Sequence, residues 1–185
     1  DLNVGAIILA PGFETYQGSL TEEYGLGRYQ NVITSLQFER LLSASGPTFG
    51  KVKRPSDGQI PSKIAFLQCV GSRDQKHDYC SAVCCMYATK EATIAKEHHP
   101  NLDIHIFMMD VRAFSKGYQA YYRRSQEKYG INYTRCRISG LRENPSSQNI
   151  LLKYAQGNRV IEDEFDLIVL SVGMEIPNSV RNLAE

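Results

Sequence analysis

The sequence predicts an α/β layered domain, and three observations support this fold class. Short apolar runs alternate with helical patterns through the middle of the chain, as in parallel sheets with helical crossovers. The last of these runs, Asp166–Val172, is rich in Leu, Ile and Val, as expected of a buried strand. With 185 residues, 42% of them hydrophobic and 22% charged, the chain is long enough for a core and too apolar for disorder.

The first part of the chain predicts a strand, a loop and a short helix. The strand is Val4–Ala10, an apolar run with β-branched residues that ends at a Pro-Gly pair, which is typical of a buried parallel strand leading into a loop. Thr34 is followed three residues later by Gln37, a spacing that allows a capping box. We therefore expect a short helix after Thr34 that ends before Gly46.

A connecting segment follows, and the pattern after it is regular. Residues 45–62 contain three prolines and three glycines, so we expect a linker and the main domain boundary there. Next come a strand at Lys63–Gln68, a helix from about Ser81 to Glu97 and a strand at Asp103–Met108, which form a β-α-β unit. The remaining predicted elements are a helix at Gly117–Tyr129, a strand at Asn132–Ile138, a hairpin of Ile150–Ala155 with Arg159–Glu162, and the final strand Asp166–Val172.

Charge and apolar patterning exclude several partners and compartments. The formal net charge is +1, so no overall field attracts nucleic acid, and we expect no nucleic-acid partner. The longest apolar runs are about half or less of the ~20 residues that a membrane helix needs, so we expect no membrane contact. Five cysteines, an odd number, without a secretory segment predict a cytoplasmic location. Because the sequence starts at Asp1, without Met, we expect a piece of a longer polypeptide.

Four of the five cysteines lie around one strand-to-helix turn. Dinucleotide-binding units carry G-x-G-x-x-G at this turn, but here only Gly71 is present, so we expect no nicotinamide nucleotide at this unit. The turn instead offers one thiol at the end of a strand and three at or near the start of a helix. Four thiolates are the ligand set of an iron-sulfur cluster. The four residues are Cys69, Cys80, Cys84 and Cys85.

The helical part of this set predicts how the thiols are arranged. Cys80 and Cys84 are four residues apart and would share one helical face, whereas Cys85 is rotated by about 100°. The three converge only if the first turn is irregular. The positive end of the helix dipole favours thiolates there by lowering the thiol pKa.

Other interpretations of the cysteines remain open on the sequence alone. A structural zinc site is one, although its usual C-x-x-C pairs are absent. Thiol-disulfide chemistry through Cys80 and Cys84 is another, although their spacing is also not C-x-x-C. A buried thiol without a chemical role is the third, and it is what we expect for Cys136. His77 lies in the same loop, but a complete set of four thiols leaves it no ligand position.

Five stretches of the chain resemble a known family, namely EYGLGRYQNVITSLQFERLLSASGP, KIAFLQCVGSRD, YCSAVCCMYATKEA, MMDVRAF and FDLIVLSVGM. That family is the heterodisulfide reductase A subunits, which includes the similar A subunit of the quinone-interacting membrane-bound oxidoreductase. The resemblance implies a three-layer, Rossmann-like, nicotinamide-binding-type domain of a two-dinucleotide-binding-domain flavoprotein of the thioredoxin reductase type. The implied divisions are a partial FAD-domain segment at 1–44, a linker at 45–62, a degenerate nicotinamide-binding-like domain at 63–171 and a return segment toward the FAD domain at 172–185.

The resemblance also implies cofactors and site residues. The four clustered cysteines would hold a 4Fe-4S cluster, and FAD would be bound by the parent protein, with Gly12, Lys90 and Gly173 as its contacts in this chain. Pro11 stands where the family has Thr, which changes the local hydrogen bonding. Lys90 is the candidate catalytic residue, because a positive charge near the flavin ring stabilises reduced, anionic flavin. The alternative for Lys90 is an exposed helical lysine paired with a nearby acid.

The implied function is an electron-transfer module of an anaerobic oxidoreductase. The cluster would pass single electrons to or from FAD, in flavin-based electron bifurcation, and the isolated fragment would be inactive. The expected partners are other subunits of the heterodisulfide reductase type and electron-donor proteins, with a homodimer as a further candidate. A thiol-disulfide oxidoreductase of the thioredoxin reductase type and a zinc-stabilised interaction module are the alternative functions.

Overall fold

The structure of the protein, a computed structural model, describes residues 1–184. Glu185, the last residue of the predicted return segment, lies outside the described residues. The helices are α1 (Ser19–Glu23), α2 (Ser35–Leu42), α3 (Cys84–His98), α4 (Tyr118–Glu127) and α5 (Asn178–Ala184). The strands are β1 (Glu14–Thr15), β2 (Val32–Thr34), β3 (Lys63–Val70), β4 (Asp103–Met108), β5 (Asn132–Arg135), β6 (Ile138–Glu143), β7 (Ile150–Gln156), β8 (Arg159–Phe165), β9 (Leu167–Val172) and β10 (Met174–Glu175).

A parallel sheet forms the middle of the molecule. In residues 1–184 it has five strands in the order β2-β9-β3-β4-β5, and every neighbouring pair is parallel. All six residues of β9 are buried, as expected for a strand covered on both faces. β3 and β4, which α3 connects, are neighbouring parallel strands of this sheet, so their carboxyl ends meet at one edge.

Helices cover one face of the parallel sheet. Phe38 of α2 and Ala88, Ala92 and Ala95 of α3 are fully buried in the core on this side, where they pack with Ile64, Phe66, Ile104 and Val169 of the sheet. The small alanine side chains bring α3 close to the strands beneath it. The position of α3 relative to the end of β3 is therefore determined by close packing.

An antiparallel sheet covers the other face. Within the described chain it consists of β6, β7 and β8, which pair as a meander. Its residues Ile150, Leu152 and Phe165 are fully buried against Leu67, Phe107 and Ile168 of the parallel sheet. Helices, parallel sheet and antiparallel sheet make three layers, and the predicted three-layer α/β architecture is confirmed. No helix within residues 1–184 has both the length and the apolar character needed to cross a bilayer.

Two predicted strands are wrong. Val4–Ala10 belongs to no strand and is exposed along its whole length, because a parallel strand forms only beside pairing partners and this segment has none in the described residues. The predicted strand Asn132–Ile138 is interrupted after Arg135, and the chain continues into β6, which the pattern did not predict. The change of direction transfers the chain from the parallel sheet to the antiparallel one.

The predicted linker at 45–62 contains no helix or strand. β2 and α2 precede it, yet β2 pairs with β9, and Phe38 lies in the same core as Ile64. The parallel sheet therefore includes elements from both sides of this segment. The domain boundaries at 44, 62 and 171 stay a prediction.

Candidate functional site

Cys69 lies where the pairing of β3 becomes irregular. The register between β3 and β9 shifts between Leu67 and Val70, which is the signature of a β-bulge. Cys69 itself has a φ of 63°, in the left-handed region that non-glycine residues seldom occupy. Such a bulge redirects a side chain at the end of a strand, and here the redirected side chain is a thiol.

The loop after Cys69 is closed by its own hydrogen bonds. The backbone N–H of Arg73 donates to the carbonyl of Tyr79 at 3.0 Å, and that of Asp74 donates to the carbonyl of His77 at 3.1 Å. The Asp74 carboxylate accepts the backbone N–H groups of Lys76 and His77 at 2.8 and 2.7 Å, which lowers its pKa against the opposing effect of burial. Residues 73–79 therefore form a compact turn.

Contacts with the return segment hold this turn in place. Nε2 of His77 lies 3.0 Å from Oε1 of Glu175, and the Tyr79 hydroxyl donates to the carbonyl of Met174 at 3.1 Å. The His77 ring also contacts the Tyr16 ring edge to face at 5.1 Å between centroids. His77 thus contacts Glu175 and Tyr16 beside the cysteine turn.

Helix α3 begins later than the sequence predicts. It starts at Cys84, and the preceding Ala82 has a φ of 63°, so Cys80 lies in the loop and shares no helical face with Cys84. The backbone N–H of Ala82 donates to the Cys80 sulfur at 3.3 Å. The helix N-cap, Val83, supplies no side-chain hydrogen bond to the first turn of α3.

The four thiols lie close enough to influence one another. Burial raises the pKa of Cys69 to about 11, and the sulfurs of Cys85, Cys84 and Cys80 contribute to that increase. Burial is also the main reason why the pKa values of Cys84 and Cys85 are raised. The predicted lowering by the helix dipole is therefore outweighed at Cys84 and Cys85. A positive metal centre removes this penalty, because a thiol that coordinates a metal is deprotonated.

The donor set fits an iron-sulfur cluster by its chemistry. Cys69, Cys80, Cys84 and Cys85 all have free thiols, as does Cys136. Across residues 1–184, no group of three or more cysteine, histidine or acidic side chains is arranged to hold a metal ion. A single ion requires ligands that converge on one point, whereas each thiolate of a 4Fe-4S cluster binds a separate iron. The residues thus supply the right ligands, and the structure shows no coordination geometry.

Arg73 and Asp110 belong to this site, and the sequence analysis missed both. The Arg73 guanidinium donates two hydrogen bonds to the Asp110 carboxylate, at 2.6 and 3.1 Å. The Cys85 sulfur lies 3.8 Å from the backbone carbonyl of Asp110. Arg73 follows β3 and Asp110 follows β4, so the signal was available: the carboxyl ends of neighbouring parallel strands bring their next residues together.

The structure places the three predicted FAD contacts in different surroundings. Nζ of Lys90 lies 2.6 Å from Oε1 of Glu39, and both side chains are 47% exposed, which matches the alternative of a lysine paired with an acid. Lys90 also lines an open groove beside α3 and α4 that neither Gly12 nor Gly173 lines. Gly12 lies in the exposed segment before β1. A flavin role for these residues stays a prediction.

Gly173 has a clear packing role. A Cβ at this position would lie 2.6 Å from the carbonyl oxygen of Gly71, too close for any other residue to fit without a backbone shift. Its backbone N–H donates to the carbonyl of Val70 at 2.7 Å, and its own carbonyl accepts the N–H of Tyr16 at 2.9 Å. Gly173 thus joins the cysteine turn to the segment around β1.

Cys136 lines the same cavity as Cys69, but none of the four clustered cysteines affects the pKa of its thiol. It follows β5, where its backbone N–H donates to the carbonyl of Met108 at 3.0 Å. Burial alone raises the pKa of its thiol to about 11, without a contribution from another cysteine. This environment agrees with the expected inert thiol, and it makes Cys136 a suitable control position.

Comparison with curated proteins gives close relatives over most of the chain. The iron-sulfur A subunit of a CoB--CoM heterodisulfide reductase from Methanopyrus kandleri is 54% identical over 175 residues, which are 92% of this chain. The corresponding protein of Methanocaldococcus jannaschii is 45% identical over 94% of the chain. The A subunit of an H(2):CoB-CoM heterodisulfide,ferredoxin reductase from Methanothermobacter marburgensis is 44% identical over the whole chain.

This chain is homologous to part of the heterodisulfide reductase A subunit. The resemblance predicted from the sequence is confirmed. The matched region makes up 27%, 27% and 28% of the lengths of those three relatives. All three names describe reductase subunits, and two of them include the term iron-sulfur.

Two further comparisons complete these findings. Thioredoxin reductase of T. acidophilum has a similar structure, with a TM-score of 0.49 and 13% sequence identity, covering 89% of this chain and 43% of that chain. No protein-family model matches the chain.

Proposed function

We propose that this chain is the electron-transfer part of a heterodisulfide-reductase-type A subunit, in which Cys69, Cys80, Cys84 and Cys85 hold a 4Fe-4S cluster. The observation that carries the proposal is the gathering of these four thiols between the end of β3 and the start of α3. The relatives named as iron-sulfur subunits support the same chemistry. When bound, such a cluster supplies one-electron transfer, and FAD in the parent protein supplies exchange between one-electron and two-electron steps.

The residues of this chain have three tasks in that function. The bulge at Cys69 and the packed helix α3 fix the positions of the ligands, and the closed turn at 73–79 covers the site beside Cys80. Lys90 provides a positive charge at the groove beside α3, where we propose that it faces the flavin. Gly12 and Gly173 lie on the segments that we propose contact FAD.

We further propose electron bifurcation as the activity of the whole parent protein. The name of the Methanothermobacter marburgensis relative combines H(2), the CoB-CoM heterodisulfide and ferredoxin. One donor with two acceptors is what bifurcation requires. The partners would be the other reductase subunits and electron-donor proteins, in the cytoplasm, with a homodimer as a further assembly.

The decisive experiment removes two ligands from the full-length parent protein. After anaerobic reconstitution with iron and sulfide, we expect Cys84→Ala with Cys85→Ala to lose about four iron atoms per chain and one EPR signal. Cys136→Ala is the matched control, because this thiol is also half-buried but has no cysteine neighbour that affects it. Unchanged iron content and an unchanged EPR spectrum in the double variant would refute the proposed cluster.

A further inference from the structure

The Arg73 side chain is fixed beside the cysteine turn by two constraints. Its backbone adopts a left-handed φ of 58°, and its N–H group is bonded to Tyr79. Its guanidinium forms the two-point contact with Asp110, which also accepts a hydrogen bond from Nε of Arg112 at 3.3 Å. Planar two-point pairing of this kind restricts the orientation of the guanidinium. Arg73 therefore provides a positive charge at a defined position.

The guanidinium charge of Arg73 influences one thiol in β3 and one in α3. The Arg73 guanidinium interacts electrostatically with the thiol of Cys69, the last but one residue of β3, and thereby lowers its pKa. It also interacts electrostatically with Cys85, the second residue of α3, whose sulfur lies 3.8 Å from the Asp110 carbonyl oxygen. In both cases Arg73 favours the thiolate, against the effect of burial. Among the described arginines and lysines, Arg73 has the side-chain charge that most favours the thiolates of Cys69 and Cys85.

We propose that Arg73 is a positioning residue that raises the reduction potential of the cluster held by the four cysteines, and that Asp110 limits this effect. The inference rests on the proposed function. A reduced cluster carries one more negative charge than an oxidised one, so a fixed cation stabilises the reduced form. The Asp110 carboxylate opposes this effect, because it neutralises part of the guanidinium charge.

The test is an EPR-monitored potentiometric titration of the full-length parent protein, with dithionite supplying one electron to the cluster. At the midpoint potential of the wild type, we expect Arg73→Gln to lower the ratio of reduced to oxidised cluster about tenfold, which equals about 59 mV for a one-electron couple. Arg73→Lys keeps the charge and should retain most of the wild-type value. Asp110→Asn should shift the potential in the opposite direction, to more positive values.

Opposite shifts distinguish this role from a structural one. If the pair only held the turn in place, Arg73→Gln and Asp110→Asn would loosen it alike, and their potentials would shift in the same direction. Lys63→Gln is the matched control, since Lys63 is paired with Asp163 at 2.7 Å but lies at the opposite end of β3. We expect no shift in this variant.

The outcomes separate the two proposals. A wild type without a cluster signal overturns the proposed function, whereas an unchanged potential in iron-replete Arg73→Gln and Asp110→Asn overturns only the role of Arg73. If Arg73→Gln fails to bind the cluster, the shift in Asp110→Asn decides: a more positive potential supports the role, and no shift or a more negative one overturns it.

Discussion

Cys69 and Glu91 both occupy environments that are costly for their residue types. Cys69 has a left-handed backbone, which costs on the order of 1–3 kcal/mol for a residue with a side chain. Glu91 lies in α3 with 1% of its surface exposed, and its Oε2 has no hydrogen-bond partner. Such costs are tolerated where packing over-determines the position. At Cys69 the strained conformation directs a thiol to the site. Glu91 lies within α3, one turn beyond Tyr87.

The burial of Glu91 predicts a pH-dependent stability. Its pKa is raised from 4.5 to about 9, mainly by burial and further by Glu39, while Lys90 opposes the increase. The contribution of Glu91 to stability is therefore greatest below pH 4.5. It falls by about 1.4 kcal/mol per pH unit as the pH rises toward 9, because Glu91 ionises first in the unfolded chain. In urea unfolding, we expect Glu91→Gln to gain roughly 2 to 4 kcal/mol more at pH 8 than at pH 5.

The control for Glu91 is a glutamate outside the core. Glu127→Gln removes the same charge at an exposed position at the end of α4. We expect its effect on the free energy of unfolding to remain within about 0.5 kcal/mol at both pH values. A Glu91→Gln variant with the same behaviour as Glu127→Gln would contradict a neutral, buried Glu91.

At the scale of elements, α2 and α3 show which helix boundaries a sequence can predict. The α2 start was predicted from Thr34 and Gln37, and both reciprocal hydrogen bonds of the capping box are present. The α3 start was predicted about three residues too early, because Val83 is not a capping residue type and Ala82 has an unusual backbone. That irregular turn keeps Cys80 out of the helix. The sequence pattern also missed β6, because the direction of this strand depends on its antiparallel pairing with β7 rather than on its own residues.

The capping box predicts the stability contributed by α2. The Thr34 N–H donates to Oε1 of Gln37 at 2.8 Å, and the Gln37 N–H donates to Oγ1 of Thr34 at 3.3 Å. We expect Thr34→Ala to lower the free energy of unfolding by about 0.5–2 kcal/mol, because the first turn of α2 loses its partner. Thr34→Ser keeps the oxygen and should cost less than half of that in the same denaturation assay. Equal losses in the two variants would mean that the threonine methyl group, not the cap, is responsible.

At the scale of the whole molecule, two similar apolar runs differ in structure: one is a buried strand and the other is exposed. Both Val4–Ala10 and the run at β9 were predicted as buried strands, but only β9 has strands to pair with, β2 on one side and β3 on the other. Local composition determines that a segment can form a strand, and long-range pairing determines that it does. The resemblance to heterodisulfide reductase predicts that Val4–Ala10 belongs to an FAD-domain segment, and this assignment stays a prediction.

This contrast predicts different effects for the same substitution at two isoleucines. Ile8 is 92% exposed and Ile168, in β9, is 0% exposed. Ile168→Val removes a buried methylene and should lower the free energy of unfolding of this chain by about 0.5–1.5 kcal/mol, while Ile8→Val should leave it unchanged. Hydrogen exchange provides an independent measurement: amides of Val4–Ala10 should exchange at the rate of an unstructured peptide, and those of β9 only on global unfolding. Slow hydrogen exchange in both segments would contradict this prediction. It would show that residues 4–10 pair with another strand, which a second copy of the chain could supply.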